Sequence, residues 1–450
     1  MRLGVVADDL TGATDAGSMT AKAGYLTHVF RHDAFEDPLG AEVCVLDTDS
    51  RFDDAAVAYA KVRTATEELL AAGCRRFHKK TCSVFRGNVG PEFDAMLDAL
   101  GEWFAVVVLG FPKNGRTTVD GVHHVGGVRL EDTAFRHDPV HPMTRSRLAD
   151  ILGSQTERQV ALLTHAEVAA GAKPLARALS AARDRGGYLI IDVVDQAALA
   201  TIARAVTLAD VRVLCGASGL LEELALVWPP PKAGTPDPKR PFSRPTEQVD
   251  AGEARPRRCP DTAPGPVLMI AGSLTPQTAA QVERVASSGV LIVELDAMRL
   301  LDERSGRAAS DAAATAAAAE LRHGRDVLVR SAADPALVRA TQAAGAARGL
   351  DTADTGRTVS AALSEVAARC ADATSLTGLI VAGGDTSAAV CRRLGLNAFR
   401  VGAELAPGVP VCRTLERPLL NVVLKSGSFG APDLLLRAAE RLREDGTCAR

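Results

Sequence analysis

The chain has 450 residues, of which 47% are hydrophobic and 24% are charged. This composition is typical of a globular protein with a substantial core and excludes a disordered chain, and the length predicts two or three domains. A formal net charge of -3 and an aromatic content of 4% argue against a nucleic-acid partner, since those proteins use basic surfaces or aromatic rings that stack on bases.

The cysteines and the first residues predict a cytoplasmic location. The nine cysteines are scattered and form no Cys-x-x-Cys pair, so neither a zinc site nor a disulfide framework is expected. Met1-Arg2 leads directly into an apolar segment, which leaves no room for a signal peptide. No apolar run approaches the ~20 residues that cross a bilayer, so no membrane partner is expected.

Short apolar segments alternate with amphipathic ones through the first half of the chain. Helices are predicted at 55–72 and 174–185, among others, and residues 110–144 have no helical periodicity. A structureless segment of that length is often functional. The alternation predicts a parallel sheet with helices on both faces. The predicted strands are 3–7, 43–46, 77–80, 104–109, 188–192 and 211–215.

A proline-rich segment divides the chain. Ten prolines lie between 229 and 264, a density that cannot continue helices or central strands. Residues 229–263 are therefore predicted to link two domains, 1–228 and 264–450. We predict an α/β protein of two doubly wound domains with mainly parallel sheets. The second domain has an alanine-rich helix at 308–321 and strands at 267–271, 291–295, 327–330, 379–382 and 420–424.

Two adjacent carboxylates, Asp8 and Asp9, stand where the first strand ends and a helix of small residues begins. Open α/β sheets bind ligands at the carboxyl ends of their strands. One of these carboxylates is therefore placed to take a proton from a substrate hydroxyl, while Thr11 and the helix amides hold an anion. Aspartate is also a common helix N-cap, and the sequence leaves both interpretations open.

Basic residues follow three other predicted strands of the first half. Arg51, Lys80, Arg86 and Arg116 stand near strand ends that a parallel sheet brings to one edge. Each residue alone is compatible with an exposed surface charge. Together they favour a crevice that binds a carboxylate-bearing, polyhydroxylated substrate, because guanidinium groups bind carboxylates through two hydrogen bonds.

Three turns of the second half, at 271–278, 382–387 and 425–430, combine glycines with hydroxyl side chains. Such turns let the backbone approach phosphate oxygens, and a helix that begins there favours negative charge. Asp385 is suited to Mg²⁺, which prefers one or two carboxylates together with phosphate oxygens. Neither a Walker A motif nor GxGxxG is present, so a nucleotide site of another kind is predicted.

Taken together, the ordered motifs between residues 3 and about 437 resemble the four-carbon acid sugar kinases. This resemblance implies an ATP-dependent kinase of a small sugar acid such as threonate or erythronate. It also implies an acid-sugar domain, a nucleotide domain and an active site in the cleft between the domains. The motifs are Asp8-Asp9-Leu10-Thr11-Gly12-Ala13, Asp49-Ser50-Arg51, Lys79-Lys80 with Ser83 and Arg86-Gly87-Asn88, Gly383-Gly384-Asp385-Thr386, and Lys425-Ser426-Gly427 with Phe429-Gly430.

Site residues follow from the resemblance together with the clusters above. Asp8 and Asp9 are the predicted catalytic residues, and a sugar acid and ATP with Mg²⁺ are the predicted ligands. A homodimer is compatible with the sequence. The predicted substrate-binding residues are Arg51, Lys80, Thr81, Cys82, Ser83, Arg86 and Arg116. The predicted ATP-binding residues are Ser273, Gly383, Gly384, Asp385, Thr386 and Gly427, with Asp385 also placed at the metal.

Cys82 and Val84 depart from the family pattern, which usually has Asp and Thr there. Losing a carboxylate and a hydroxyl should change which substrate groups are bound. The alternatives are a kinase of another sugar or keto acid of the same family, such as an apionate derivative, or an inactive sugar-acid-binding regulator. The histidines of 110–144 lack a metal-ligand pattern, so hydrogen bonding or substrate contact is expected of them.

Overall fold

The structure is a computed structural model that describes residues 3–138, 140–228, 265–331, 334–416 and 419–447. The chain divides into two compact units, Met1–Thr235 and Pro236–Arg450. The predicted linker 229–263 lies outside the described residues. Within the described ranges, no helix is both long and apolar enough to cross a membrane.

The first unit alternates strands and helices. Its strands are β1 (Leu3–Ala7), β2 (Thr27–Arg31), β3 (Val43–Asp47), β4 (Arg76–Lys80), β5 (Phe104–Val108), β6 (Arg116–Val119), β7 (Val122–Val125), β8 (Val128–Arg129), β9 (Val160–Leu163), β10 (Gly187–Ile191) and β11 (Val213–Gly216). Its helices are α1 (Leu10–Ala21), α2 (Ala55–Ala71), α3 (Val89–Leu100), α4 (Leu148–Gly153), α5 (His165–Ala169), α6 (Ala172–Arg183), α7 (Gln196–Leu208) and α8 (Gly219–Val227).

The large sheet of this unit has the strand order β2-β3-β1-β4-β11-β5-β10-β9, and its pairs are parallel. The central strand β1 is buried throughout, as expected of a parallel strand covered on both faces. Ala7 lies opposite both Asp47 and Lys80, and Lys80 lies opposite Gly216. Four strands therefore end level with one another, and the loops that follow them meet at one edge.

The prediction that 110–144 is structureless is wrong. Strands β6, β7 and β8 form a small antiparallel sheet there. These strands have only two to four residues, too few to show a period of two. The Asp120-Gly121 turn, with both residues at positive φ, joins β6 to β7 and is the sequence signal that could have revealed the hairpin.

The second unit also alternates strands and helices. Its strands are β12 (Val267–Ala271), β13 (Leu291–Leu295), β14 (Val327–Ser331), β15 (Gly378–Ala382), β16 (Ala398–Ala406), β17 (Val409–Thr414) and β18 (Asn421–Lys425). Its helices are α9 (Pro276–Ala286), α10 (Ala297–Leu300), α11 (Glu303–Arg322), α12 (Pro335–Ala346), α13 (Thr352–Ala373), α14 (Gly384–Arg393) and α15 (Leu434–Thr447).

The sheet of the second unit has the order β13-β14-β12-β15-β18-β17-β16. Its pairs are parallel except that β17 is antiparallel to both β16 and β18. The strands predicted in both halves are confirmed to within two residues at each end, but β2, β9, β16 and β17 were not predicted, nor were the short strands β6, β7 and β8. Three of the five residues of β2 are polar or basic, and β9 has only four residues, so their patterns are weak.

Candidate active site

Asp8 and Arg51 form a buried ion pair at the end of β1. The Arg51 Nε donates to Asp8 Oδ2 at 2.9 Å, and Nη2 donates to Oδ1 at 2.8 Å. Burial by itself raises the pKa of the Asp8 carboxyl, but the charges of Arg51 and Lys79 outweigh it and lower the pKa to about 2. Asp8 is therefore an anion at neutral pH, with both oxygens engaged in holding Arg51.

Asp9 is the N-cap of α1. Its Oδ1 accepts from the Gly12 amide at 2.6 Å, and its Oδ2 accepts from the Thr11 hydroxyl at 3.2 Å and from Arg51 Nη1 at 2.5 Å. The side chain of Asp9 is 14% exposed, compared with 1% for Asp8. The capping interpretation thus applies to Asp9 and not to Asp8, and Asp9 is the more accessible of the two carboxylates.

Lys80 lies beside the first turn of α1. Its Nζ is 3.7 Å from Asp15 Oδ2 and donates to the Thr81 carbonyl at 3.0 Å. A Cβ added to Gly12 would lie 2.5 Å from Asp9 Oδ1 and 3.2 Å from Lys80 Nζ. A glycine at this position therefore allows the carboxylate of Asp9 and the ammonium of Lys80 to converge on the helix start.

Lys79 differs from its neighbour Lys80. Its ammonium is 2.8 Å from Glu92 Oε2 in a fully buried ion pair that ties β4 to α3. The Glu92 Oε1 accepts from the Ser50 hydroxyl at 2.5 Å. Lys79 thus stabilises the loops that carry the site, and Lys80 is the lysine that lies next to Asp9.

Three guanidinium groups act on Cys82. The Arg86 Nε donates to Cys82 Sγ at 3.3 Å. Burial raises the pKa of the Cys82 thiol, but Arg86 and Arg51 lower it below its ordinary value. Burial also lowers the pKa of Arg116, against the opposing charge of Cys82. Cys82 therefore lies among positively charged side chains, and its place on the acid-binding side stays a prediction.

Thr81 and Ser83, which flank Cys82, present different groups. Thr81 is fully buried, and within the described ranges its hydroxyl has no hydrogen-bond partner. Ser83 is half-buried, and its carbonyl accepts from His123 Nε2 at 3.0 Å. Burial lowers the pKa of His123 to about 3, so the ring is neutral and holds the loop.

The segment that was predicted to be structureless packs on two of the predicted substrate-binding residues, Arg86 and Arg51. Asp138 pairs with Arg86, whose guanidinium also lies 5.4 Å from the Phe135 ring centre. The His141 Nε2 donates to the Arg51 carbonyl at 3.0 Å. These contacts were not predicted, because the partners are between 50 and 90 residues apart in sequence.

Asp47 is a further carboxylate at this edge that the site prediction left out. It ends β3, level with Ala7, and is 3% exposed. Burial and the charges of Asp49, Asp9 and Asp8 raise its pKa well above the ordinary value. Its place two residues before Asp49-Ser50-Arg51, at the end of a predicted strand, was the available signal.

The three glycine turns of the second unit meet one another. A Cβ added to Gly272 would lie 2.0 Å from Thr386 Oγ1, and one added to Gly427 would lie 2.1 Å from Ser273 Oγ. Gly383 has φ 127°, and a Cβ there would be 3.2 Å from the Ser273 amide. The structure thus brings Ser273, Gly383 and Gly427 together, as expected if they bind one ligand.

Helix α14 begins at Gly384, so Gly384, Asp385 and Thr386 form its first turn. A helix start with adjacent glycines suits a phosphate. Asp385 supplies one carboxylate, which fits the modest protein ligand set of Mg²⁺. Among the residues that the structure describes, no group of three or more His, Cys, Asp or Glu is placed to hold a metal ion.

Comparison with known proteins agrees with a division of the chain into two domains. Residues 3–224 match the family model of a sugar-binding N-terminal domain, and residues 268–435 match that of a nucleotide-binding C-terminal domain. The chain is 34% identical to a 3-oxo-tetronate kinase of Cupriavidus necator, over 98% of this chain and 97% of the relative. It is 36% identical to one of Methylobacterium radiotolerans, over 98% and 99%.

Solved structures support the same fold. One from Salmonella typhimurium LT2 has a TM-score of 0.78 at 27% identity, covering 97% of this chain and 98% of that chain. One from Haemophilus influenzae has a TM-score of 0.70 at 26% identity, covering 98% and 99%. The family models and the relatives therefore define an ATP-dependent sugar-acid kinase with one sugar-binding and one nucleotide-binding domain. The chain belongs to the four-carbon acid sugar kinase family.

Proposed function

We propose that this enzyme transfers the terminal phosphate of ATP to a hydroxyl of 3-oxo-tetronate, a four-carbon acid with a keto group. The full-length relatives that carry this name support the substrate class. Threonate and erythronate, the substrates expected from the sequence, have a hydroxyl where this acid has a carbonyl oxygen.

The observation that carries the proposal is the wall around Cys82. A substrate hydroxyl can donate to a carboxylate, but a keto oxygen only accepts hydrogen bonds. This chain has a thiol where the family usually has Asp, and Arg86 donates to that thiol at 3.3 Å. A wall with guanidinium donors and no carboxylate at position 82 suits a carbonyl oxygen of a keto acid better than the corresponding hydroxyl of threonate or erythronate.

In this proposal the acid carboxylate binds to the basic side chains at the strand ends, Arg86, Arg116 and Lys80. Asp9 orients and deprotonates the attacking hydroxyl, because Asp8 is fully engaged with Arg51 and its lowered pKa makes it a weak base. The phosphorylated hydroxyl is the one at the end of the carbon chain opposite the carboxylate.

On the nucleotide side, the turns at Ser273, Gly383 and Gly427 contact the phosphates of ATP. Phosphoryl transfer depends mainly on positioning and charge neutralisation. Mg²⁺, held by Asp385 with phosphate oxygens, would supply part of that neutralisation.

The test is an ADP-release assay with 3-oxo-tetronate, threonate, erythronate, an apionate-derived acid and a five-carbon sugar acid. We expect the highest kcat/KM for 3-oxo-tetronate, and a product phosphorylated at the terminal carbon by NMR. Asp9→Asn serves as the control for background ATP hydrolysis. A higher kcat/KM for threonate or erythronate would contradict the proposal and return the assignment to a trihydroxy acid.

A further inference from the structure

Lys425 is a buried cation beneath the predicted nucleotide turns. It ends β18 and is 0% exposed. Its Nζ donates to the Thr278 hydroxyl at 3.0 Å and to the Gly427 carbonyl at 3.2 Å. Burial lowers its pKa to about 7, and among the residues that the structure describes no acidic side chain counteracts that effect.

A comparison with Lys79 shows how unusual this environment is. Lys79 is equally buried, but its ammonium is 2.8 Å from the carboxylate of Glu92. Lys425 has two neutral oxygens as its only hydrogen-bond partners in the part of the chain that the structure describes. A buried ammonium without a counter-ion is unfavourable in itself, so an anionic ligand nearby would stabilise its charged form.

The Gly427 carbonyl is held by three donors. The hydroxyls of Thr275 and Thr278 donate to it at 2.7 and 3.0 Å, in addition to the Lys425 ammonium. In a planar trans peptide the C=O and the following N–H point in opposite directions. Fixing this carbonyl towards Lys425 therefore directs the amide of Ser428 away from it, and that amide has no acceptor among the described residues.

We propose that Lys425 is a positioning residue for the nucleotide: it fixes the Gly427 peptide so that the Ser428 amide binds a phosphate oxygen, and the phosphate charge in turn stabilises the buried ammonium. The inference rests on the proposed nucleotide site at these turns. It does not depend on which sugar acid is the substrate.

The test uses the full-length enzyme and its Lys425→Met and Lys425→Gln variants. Met removes the charge and the donor at similar length, and Gln keeps a donor without the charge. Calorimetry measures the Kd of ATP, of inorganic tripolyphosphate and of adenosine. We expect Lys425→Met to weaken ATP and tripolyphosphate binding at least 10-fold, to leave adenosine binding within about threefold, and to raise KM for ATP more than it lowers kcat. Lys425→Gln should recover part of the loss.

Equal weakening of tripolyphosphate and adenosine binding, or wild-type ATP binding in a folded variant, would overturn the proposal. If Lys425→Met folds poorly, Lys425→Gln gives the same comparison on a folded protein. The Gly427→Ala variant distinguishes a failure of the proposed role of Lys425 from a failure of the proposed nucleotide site. Unchanged ATP binding in Gly427→Ala would place ATP elsewhere. Weakened ATP binding in Gly427→Ala, together with wild-type ATP binding in both Lys425 variants, would overturn only the role of Lys425.

Discussion

Asp8 and Asp9 both bind Arg51, but their other contacts and their exposure differ although they are adjacent in sequence. Asp8 is buried and bound through both oxygens to Arg51, whereas Asp9 caps α1 and keeps a partly exposed carboxylate. The difference arises because successive side chains at the end of an extended segment point in opposite directions. Both oxygens of Asp8 are therefore committed to Arg51, and the more exposed Asp9 is the carboxylate that we propose faces the substrate.

We expect Asp8→Asn and Asp9→Asn to separate stability from turnover. Asp8→Asn should lower the free energy of unfolding by up to about 3–5 kcal/mol, because it removes the carboxylate that binds the buried Arg51 through two hydrogen bonds and leaves it only Asp9 as a charge partner. Asn is an equally good N-cap, so Asp9→Asn should stay within about 1 kcal/mol of wild type and lower kcat roughly 10²- to 10⁴-fold. Urea unfolding and the ADP-release assay measure the two effects. Full activity of Asp9→Asn would contradict its proposed role.

The Asp8 prediction also has a pH dependence. The pKa of Asp8 is about 2 in the folded protein and 3.8 ordinarily. Its contribution to stability is therefore complete above about pH 4 and is lost as the pH falls towards 2. The stability difference between wild type and Asp8→Asn should shrink over this range.

Cys82 and Val84 also differ in their surroundings. Cys82 accepts a hydrogen bond from Arg86, so Cys82→Asp would meet positive partners, whereas Val84 is 1% exposed. We expect Cys82→Asp to shift relative kcat/KM from the keto acid towards threonate or erythronate, with KM for ATP within about threefold. Val84→Thr should mainly lower the melting temperature, because it buries a hydroxyl. An unchanged substrate ranking in folded Cys82→Asp would show that this side chain does not face the substrate.

At the scale of elements, the strand-to-helix turns of the second unit lie so close together that a glycine backbone in one turn contacts a hydroxyl side chain of another. Gly272 and Gly427 have a hydroxyl oxygen of a neighbouring turn within 2.1 Å of where a Cβ would stand. Real Cβ atoms do not make such contacts, so a side chain at either position requires the facing hydroxyl to rotate away or the turns to move apart. The arrangement that brings Ser273 and Thr386 together therefore requires glycine on the facing turns.

Gly427→Ala should raise the KM for ATP at least 10-fold and leave sugar-acid binding unchanged, because the added methyl displaces Ser273. Gly356→Ala is the matched control, since a Cβ there meets nothing within 4 Å and the residue lies in α13. That control should be neutral or more stable by up to about 1 kcal/mol. Steady-state kinetics at saturating sugar acid measure the effect, and equal KM values for ATP in both variants would exclude Gly427 from the nucleotide site.

At the scale of the whole molecule, the two units carry separate chemistry. Residues 3–224 match a sugar-binding domain and 268–435 a nucleotide-binding domain. The second unit has its own core, in which Met269, Ile380 and Val423 pack with the apolar face of α15. A unit with its own core is expected to fold and bind its ligand alone.

We therefore expect a fragment of residues 264–450 to bind Mg-ATP weakly and a fragment of residues 1–228 not to bind it. Calorimetry on each fragment gives the answer, and circular dichroism shows whether each fragment is folded. Nucleotide binding by a folded 1–228 fragment would contradict the assignment of ATP to the second unit. Sedimentation of the full chain separately tests the predicted homodimer.

Local patterns were sufficient for most of the fold and for the positions of the site loops. Strands such as β1 and β12 are continuous apolar runs, and their ends carry Asp8-Asp9 and Gly272-Ser273. Such runs are recognisable because a strand buried on both faces needs apolar residues throughout. Strand β2 and the hairpin of β6 and β7 were missed, since short strands with polar residues carry little pattern.

What the sequence by itself determined is the class of fold, the kinase resemblance and the residue types at the strand ends. Only the tertiary structure decided which aspartate caps α1, that Lys79 pairs with Glu92 while Lys80 lies beside Asp9, and that Asp138 covers Arg86. The physical reason is distance along the chain. Caps and periodicity act over a few residues, whereas ion pairs and buried charges depend on groups that only the folded sheet brings together.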